Sequence, residues 1–241
     1  MSRSCAWVSA VSAILLVPAA VPAGVLLEDD FGVGTEPDAA KWTQIEDAGC
    51  DVSLSGGVLV TSFKGAAASR RAYAVSNTLA LPAGWTNVTV TGQWAFVVPG
   101  LGECDIMVYD PSNTLTRLRA SYVNWTSDHL RMQYTDPADP TKVISEDFAR
   151  QGFPAVLTDF EMTFTPTGWR FTTEGGTTDI TRASTGMSGL TEIQLMIGGW
   201  EYSAVNNVAH FDNIRVSVVP EPATMALLAA GGAMLVFVRR R

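Results

Sequence analysis

The chain has 241 residues, with 16 basic and 24 acidic side chains and a formal net charge of −8 at neutral pH. An acidic chain of this kind repels nucleic acid and anionic lipid surfaces, so nucleic acid is excluded as a partner. The charge instead suits an exported soluble protein, or one that binds neutral sugars or cations.

The first residues are typical of a secretory signal peptide. Arg3 precedes an apolar run over residues 6–23, and Val21-Pro22-Ala23 offers the small side chains of a cleavage site. Residues 1–23 are therefore predicted to form a signal helix that is removed and takes no part in the fold. An uncleaved N-terminal anchor is the alternative.

Residues 24–218 are predicted to form a single β-sandwich domain. Without Arg3 and the three terminal arginines 12 basic residues remain, and without Glu221 there are 23 acidic ones, which gives a net charge near −11. Alternating apolar and polar residues, with turn residues between them, predict about a dozen strands. These lie at residues 25–31, 57–63, 71–81, 87–96, 105–109, 115–123, 129–135, 160–165, 169–173, 177–181, 192–197 and 208–218. So many short strands indicate an all-β fold of two packed antiparallel sheets.

Both ends of this domain carry short motifs of a known superfamily. Asp29-Asp30-Phe31, Trp42, residues 52–60 and Phe211-Asp212-Asn213-Ile214-Arg215-Val216 occur in the expected order. Together they resemble the frame of concanavalin A-like jelly rolls, which include lectin-like domains, laminin G-like domains and family 16 glycoside hydrolases. The resemblance implies a two-sheet jelly-roll sandwich and leaves the activity open.

A structural calcium ion is expected from the same resemblance. Strict alternation along the last strand would place Asp212 on the apolar face with Ile214, where an unpaired carboxylate is costly. In family 16 enzymes the matching Asp binds calcium with backbone oxygens that correspond here to residues 28–30, including Glu28 and Asp30, and to Gly57. Calcium accepts such a mixture of oxygens. The alternative is that Asp212 caps backbone N–H groups.

Glu103-Cys104-Asp105-Ile106-Met107-Val108 is similar to the catalytic strand of family 16, which carries Glu-x-Asp-x-Glu or a form one residue longer. Glu103 and Asp105 can face the same side, but Met107 or Val108 stands where the second catalytic Glu belongs. A retaining glycosidase needs two carboxyl groups, so no catalytic residue is predicted. Asp159-Phe160-Glu161 is a second, less similar match to the same motif. The alternative interpretation of both acidic pairs is that they occupy polar positions on solvent-facing strand faces.

Tryptophan residues near strand ends are candidates for glycan contact. Trp125 and Trp200 fall where binding sites are commonly built, and aromatic faces stack on sugar rings. Trp94 and Trp169 lie within strand patterns and are expected to pack in the core. The mature domain also has two cysteines, Cys50 and Cys104, for which a disulfide stays open.

The last stretch, residues 219–241, combines three elements. Pro220-Glu221-Pro222 is followed by sixteen uncharged residues, which as a helix would span roughly 24 Å, and then by Arg239-Arg240-Arg241. The apolar run with terminal arginines predicts a transmembrane helix. The three elements resemble the PEP-CTERM sorting signal of Gram-negative bacteria, which implies an exosortase as partner. The alternative is an ordinary single-pass anchor.

The sequence thus predicts an exported protein of the cell envelope, cell surface or extracellular matrix. Its jelly-roll domain is expected to have a binding or structural role, toward glycans such as exopolysaccharide. The competing class is a carbohydrate-active enzyme, either a glycoside hydrolase or a lyase.

Overall fold

A computed structural model describes residues 23–63, 69–98, 101–125, 127–150, 152–182, 187–201 and 207–220. They belong to one compact unit, Pro22–Glu221. The predicted signal helix and the sorting residues from Glu221 onward, including Arg239, Arg240 and Arg241, lie outside the described residues. Within the described segments, no helix combines the length and apolar character needed to span a membrane.

The described part of the chain is built from sixteen strands and one short 3₁₀ turn, Glu174–Gly176. The strands are β1 Gly24–Asp29, β2 Trp42–Glu46, β3 Cys50–Ser55, β4 Val58–Phe63, β5 Arg70–Ser76, β6 Leu79–Ala80, β7 Trp85–Val98, β8 Gly102–Asp110, β9 Asn113–Asn124, β10 Asp128–Asp136, β11 Asp139–Ala149, β12 Thr158–Thr165, β13 Gly168–Thr173, β14 Thr178–Arg182, β15 Glu192–Glu201 and β16 Val208–Pro220. The all-β expectation is confirmed.

Two antiparallel eight-stranded sheets form the sandwich. Sheet 1 has the order β14-β13-β12-β7-β16-β4-β3, with β1 also paired to β16. Sheet 2 has the order β11-β10-β9-β8-β15-β5-β2, with β6 also paired to β15. The arrangement is that of a jelly-roll sandwich, as predicted, and the first and last strands lie side by side through pairs such as Asp29 opposite Ile214.

The core lies between the sheets because alternate residues of each strand are apolar and point inward. On β8 these are Cys104, Ile106 and Val108, all fully buried. Trp94 of β7 stacks on Tyr122 of β9, with ring centroids 3.9 Å apart. The packing role predicted for Trp94 is confirmed, and Trp169, only 2% exposed, is buried as well.

A bulge in β16 overturns the predicted orientation of Asp212. Phe211 and Ile214 both belong to the core although three positions separate them, so one extra residue interrupts the alternation. Asn213 has a φ of 51°, and the pairing with β7 shifts register between Asp212 and Arg215. Asp212 is therefore only partly buried and lies outside the core. The expectation that it shares the apolar face with Ile214 was wrong.

Gly92 of β7 accommodates this bulge. A Cβ atom there would lie 2.6 Å from Ile214 Cδ1 and 3.1 Å from the Asp212 carbonyl oxygen. Such contacts are closer than van der Waals packing allows, so a side chain at this position would displace the bulge.

Three strands, β2, β3 and β11, were missing from the strand prediction, and the predicted strand 71–81 divides into β5 and β6. β11 begins at Asp139, inside Asp136-Pro137-Ala138-Asp139-Pro140, a run of residue types typical of turns. Pro140 is tolerated because β11 is the edge strand of sheet 2. Its residues are mostly exposed or partly exposed, so apolar alternation could not identify it.

The two cysteines are unbridged. Cys104 lies on the core side of β8 in sheet 2, and Cys50 begins β3 in sheet 1. Burial raises the pKa of both thiols, which disfavours a reactive thiolate at either position.

Candidate functional site on the outer face of sheet 2

The face of sheet 2 that points away from the core carries a concentrated set of charged and aromatic side chains. They alternate along each strand with core residues such as Cys104, Leu118 and Met132. The set, here called the outer-face site, consists of Tyr73 on β5, Glu103 and Asp105 on β8, Arg117 and Arg119 on β9, Arg131 and Gln133 on β10, and Trp200 on β15.

Arg119 is the centre of a buried ion-pair network. Its Nη2 donates to a carboxylate oxygen of Glu103 and, at 2.7 Å, to Asp105 Oδ2, while its Nε donates to Asp105 Oδ1 at 3.2 Å. Glu103 is 2% exposed and Asp105 is fully buried. The two carboxylates share a face, as predicted, and that face points away from the core, but neighbouring side chains cover both of them instead of leaving them exposed.

Further contacts complete the network. Arg131 Nη1 lies 3.5 Å from Glu103 Oε1, and Arg131 Nε pairs with Asp147 at 2.8 Å. The Tyr73 hydroxyl donates to Asp105 Oδ2 at 2.5 Å. Burial and the neighbouring Asp105 carboxylate raise the pKa of Glu103 to about 7, although both arginines act in the opposite direction.

Gly198 on β15 allows Tyr73 to reach this network. It lies between Tyr73 and Asp105 in the sheet register, with a φ of 152°. A Cβ atom at this position would lie 2.1 Å from the Ala72 carbonyl oxygen and 2.6 Å from the Tyr73 ring. Only glycine fits there without moving the tyrosine.

The position corresponding to a second catalytic carboxylate is apolar. Met107 follows Glu103 and Asp105 on the same face of β8 and packs with Tyr73 and Tyr109. The weaker acidic echo, Asp159-Phe160-Glu161, lies on β12 of sheet 1 and contributes nothing to this face.

The structure brings the two predicted ligand tryptophans together. Trp125 and Trp200 meet edge to face, with ring centroids 6.3 Å apart and an interplanar angle of 77°. The Arg131 guanidinium lies 4.6 Å from the centre of the Trp125 ring. The pair therefore adjoins the ion network, and ligand contact by either ring stays a prediction.

A cavity of about 260 Å³ opens at the outer-face site. Tyr73, Trp200 and Met107 supply aromatic and apolar walls, and Arg71, Arg117 and Arg119 supply guanidinium groups. Three larger hollows of about 490, 460 and 300 Å³ lie elsewhere on the sandwich. The described lining of the first two contains no Trp or Tyr, and Trp85 in the third is buried, with its indole N–H already bonded to the Leu190 carbonyl oxygen. The outer-face cavity, with the partly exposed Trp200, is therefore the better candidate for a sugar ring.

The residues proposed to hold calcium are partly engaged by other groups. Lys41 Nζ donates to the Glu28 carbonyl oxygen at 2.9 Å, and Arg215 Nη1 donates to the Glu28 carboxylate at 2.8 Å. Gly57 lies in the β3–β4 turn with a φ of 82°. Glu28 therefore does not fit the role of a free cation ligand.

Asp212 and Asp30 retain a chemistry that suits a cation. Asp212 Oδ1 accepts the Asn213 backbone N–H at 2.7 Å, which is the capping role named as the alternative. Burial raises the pKa of Asp212, and the nearby Asp30 carboxylate adds to the effect. The described residues contain no group of three or more His, Cys, Asp or Glu side chains that could hold a metal ion. Calcium binding stays a prediction.

Sequence reasoning missed the arginines of the outer-face site. Arg117-Leu118-Arg119 and Arg131-Met132-Gln133 alternate charged or polar residues with buried apolar ones, a pattern that places the arginines on the outer face. The alternation is visible in the sequence, whereas the pairing of β9 with β8, which brings Arg119 to the carboxylates, is not.

Comparison with known families and structures bears on both the tail and the sandwich. A family model described as the PEP-CTERM protein-sorting motif matches residues 218–241. The chain carries a PEP-CTERM sorting motif. This motif implies processing by an exosortase and indicates export to the cell envelope or surface of a Gram-negative bacterium. No curated protein matches the sequence.

Solved jelly-roll structures are similar to this chain in fold. The GlcNAcα1-4Gal-releasing endo-β-galactosidase from Clostridium perfringens aligns with a TM-score of 0.57 and 14% identity, over 81% of this chain and 62% of that one. A lectin from Bauhinia forficata in complex with GalNAc aligns with a TM-score of 0.58 and 8% identity, over 83% of this chain and 99% of the lectin. The alginate lyase AlyC3 aligns with a TM-score of 0.51 and 12% identity, over 72% of this chain and 79% of the lyase. At these identities the likeness shows the fold alone.

Proposed function

We propose that this PEP-CTERM protein binds glycans at the cell surface or in the exopolysaccharide matrix, and that the outer-face site of sheet 2 is the binding surface. The observation that carries the proposal is the cavity bounded by Tyr73 and Trp200 beside a row of guanidinium groups. Aromatic rings and a few convergent polar groups are the usual composition of a ligand site. The fold is shared with lectins and glycosidases, which supports the same class of ligand.

Binding is favoured over hydrolysis because of how the acidic residues are held. A retaining glycosidase needs a nucleophile and an acid/base about 5 to 5.5 Å apart, both free to act on the substrate. Asp105 accepts hydrogen bonds from Arg119 and Tyr73, Glu103 pairs with two arginines, and Met107 occupies the third position. The network neutralises the carboxylates instead of exposing them.

The competing function is catalysis on glycans. One observation favours it: the pKa of Glu103, raised to about 7, is in the range useful to a general acid. Zymography against β-glucans and alginate-like polymers tests it directly. Clear cleavage that Glu103→Gln abolishes would replace the binding proposal with an enzymatic one.

Affinity electrophoresis of the purified protein through gels containing candidate polysaccharides tests the binding function. Trp200→Ala should weaken retardation about tenfold, the usual effect of truncating an aromatic anchor. Val156→Ala, which trims a side chain that is 73% exposed elsewhere, should leave it unchanged. Equal retardation of the native protein, Trp200→Ala and Val156→Ala would exclude this face as the binding surface.

We also propose that apolar residues 223–238 hold the protein at the membrane until an exosortase processes the tail. The terminal arginines would then remain on the cytoplasmic side. Fractionation of the host and mass spectrometry of the mature C-terminus test this. A mature protein that retains Arg239, Arg240 and Arg241 would contradict processing.

A further inference from the structure

We infer that the cavity of the outer-face site selects glycans bearing an anionic group, a carboxylate or a sulfate ester, and that Arg117 is the main cationic contact. The inference rests on the proposed glycan-binding function and adds the class of sugar. It is carried by a charge imbalance among the arginines that line one cavity.

The other arginines of this face have acidic partners. Arg119 is paired with Glu103 and Asp105, Arg131 with Asp147 and Glu103, and Arg71 with Asp47 at 3.1 Å. Their charges are already neutralised within the protein.

Arg117 differs from them. Its Nη2 donates to Gln133 Oε1 at 3.3 Å, an oxygen that also accepts from Arg119 at 3.1 Å. Its Nε is buried and has no hydrogen-bond partner among the described residues, and none of their carboxylates forms an ion pair with it. A guanidinium group without a carboxylate partner among the described residues therefore lines the cavity.

Two features of this arrangement disfavour the charged form of Arg117 in the absence of a ligand. Burial lowers the pKa of Arg117 and the adjacent Arg119 lowers it further, while the Asp105 and Glu103 carboxylates act in the opposite direction. An oxyanion bound in the cavity would offset both effects, because guanidinium groups form paired, charge-assisted hydrogen bonds with carboxylates and sulfates. A residue kept for stability alone would instead be expected to have a carboxylate partner.

The cavity suits one acidic sugar residue. Its volume of about 260 Å³ is slightly below the roughly 300 to 1,000 Å³ of sites for drug-sized ligands. The partly exposed Trp200 offers a surface for the ring, while Arg117 and the more exposed Arg71 offer donors for the anion. Because the domain carries a net charge near −11, general attraction of polyanions would not produce such binding.

The experiment measures affinity of the purified protein for three probes: oligogalacturonate for carboxylates, dextran sulfate for sulfate esters, and neutral dextran. At least one anionic probe should bind tenfold more tightly than dextran. Arg117→Gln should weaken that binding by about ten- to a hundredfold, the effect of losing a charge-assisted hydrogen bond. Arg117→Lys should retain part of it. Preference for oligogalacturonate assigns a carboxylate site, and preference for dextran sulfate assigns a sulfate site.

Arg170→Gln is the matched control. Arg170 lies on β13 of sheet 1, is 51% exposed and pairs with Asp179 at 2.8 Å. Its removal changes the net charge by the same amount without touching the cavity, so anion binding should be unchanged.

Melting of the unliganded protein separates a binding role from a structural one. Arg117→Gln should melt at the same temperature as the native protein or higher, because it removes a partly buried charge that has no ion-pair partner among the described residues. A fall of more than a few degrees would overturn that argument.

Two binding results would also refute the inference. Equal affinity for dextran and the anionic probes, unaffected by Arg117→Gln, would overturn the anionic selectivity and leave glycan binding intact. Failure to bind any polysaccharide would remove the glycan-binding function together with the inference.

Discussion

Replacement of Arg119 by methionine should strongly destabilise the sandwich. The substitution keeps a long side chain and removes the positive charge that Glu103 and Asp105 share. These carboxylates are 2% and 0% exposed, so water cannot take the place of the lost guanidinium. Two buried carboxyl groups would then lie beside each other without the guanidinium that they share.

The size of the effect follows from burial. Removing one partner of a buried ion pair costs about 3 to 5 kcal/mol, because the remaining charge is left uncompensated. For a domain of this length each kcal/mol lowers the melting temperature by roughly 2 to 4 °C, so a fall of about 6 to 20 °C is expected. Arg170→Met, which breaks an exposed surface pair on the other sheet, should leave the melting temperature nearly unchanged.

Thermal and urea denaturation at several pH values measure this cost. Loss of Arg119 removes a group that lowers the pKa of Glu103, so the deficit should be greatest at and above neutral pH and shrink as the pH falls and Glu103 is protonated. Adding Glu103→Gln and Asp105→Asn to Arg119→Met should recover most of the stability, because neutral side chains need no counter-charge.

Two results would refute this reasoning. If Arg119→Met costs less than about 1 kcal/mol, the network is not the buried, charge-balanced unit that its geometry indicates. If the deficit is the same at every pH, its cause is lost packing instead of uncompensated charge.

Three further predictions concern other sites. Burial raises the pKa of Glu201 to about 7. The folded state therefore keeps a proton that the unfolded chain releases above pH 4.5, and the stability of the native protein should fall as the pH rises from 4.5 to 7. Glu201→Gln should remove this pH dependence and raise the free energy of unfolding by up to about 3 kcal/mol above pH 7, as measured by urea denaturation. A variant whose stability still falls over this pH range would contradict the prediction. Gly198→Ala should cost at least about 3 kcal/mol in the same assay, because its Cβ would lie 2.1 Å from a backbone oxygen; a loss below about 1 kcal/mol contradicts the close approach. If Asp212 helps hold calcium, a chelator should lower the melting temperature of the native protein but not of Asp212→Ala, whereas equal melting with and without chelator removes the calcium proposal.

Strand positions were largely predictable because the signal is local. Apolar residues recur at every second position along β7, β8, β10 and β12, and this period survives whatever the sheet order is. The turns of the hairpins β12–β13–β14 are an equally local signal, since Thr167-Gly168 and Gly175-Gly176 lie between the strands. β11 was not predicted because an edge strand with mostly polar residues lacks apolar residues at every second position.

The sheet face on which a side chain lies, and the residue opposite it on the next strand, were less predictable because bulges change the register of strand pairing. The extra residue at Asn213 moved Asp212 off the core face. At the β8–β9 hairpin, Asp110 pairs with Asn113, and an unbroken ladder from there would place Asp105 opposite Leu118. The register shift after Tyr109 instead places Asp105 opposite Ser121 and brings Arg119 within reach of both carboxylates.

The sequence by itself determined the sorting tail, the all-β class and the approximate strands, because each depends on neighbouring residues in the chain. Only the tertiary structure decided that Arg119 neutralises Glu103 and Asp105, that Arg117 lines a cavity without an acidic partner, and that Trp125 meets Trp200. These relations depend on strand order and on bulges, which arise from hydrogen bonds between residues far apart in sequence.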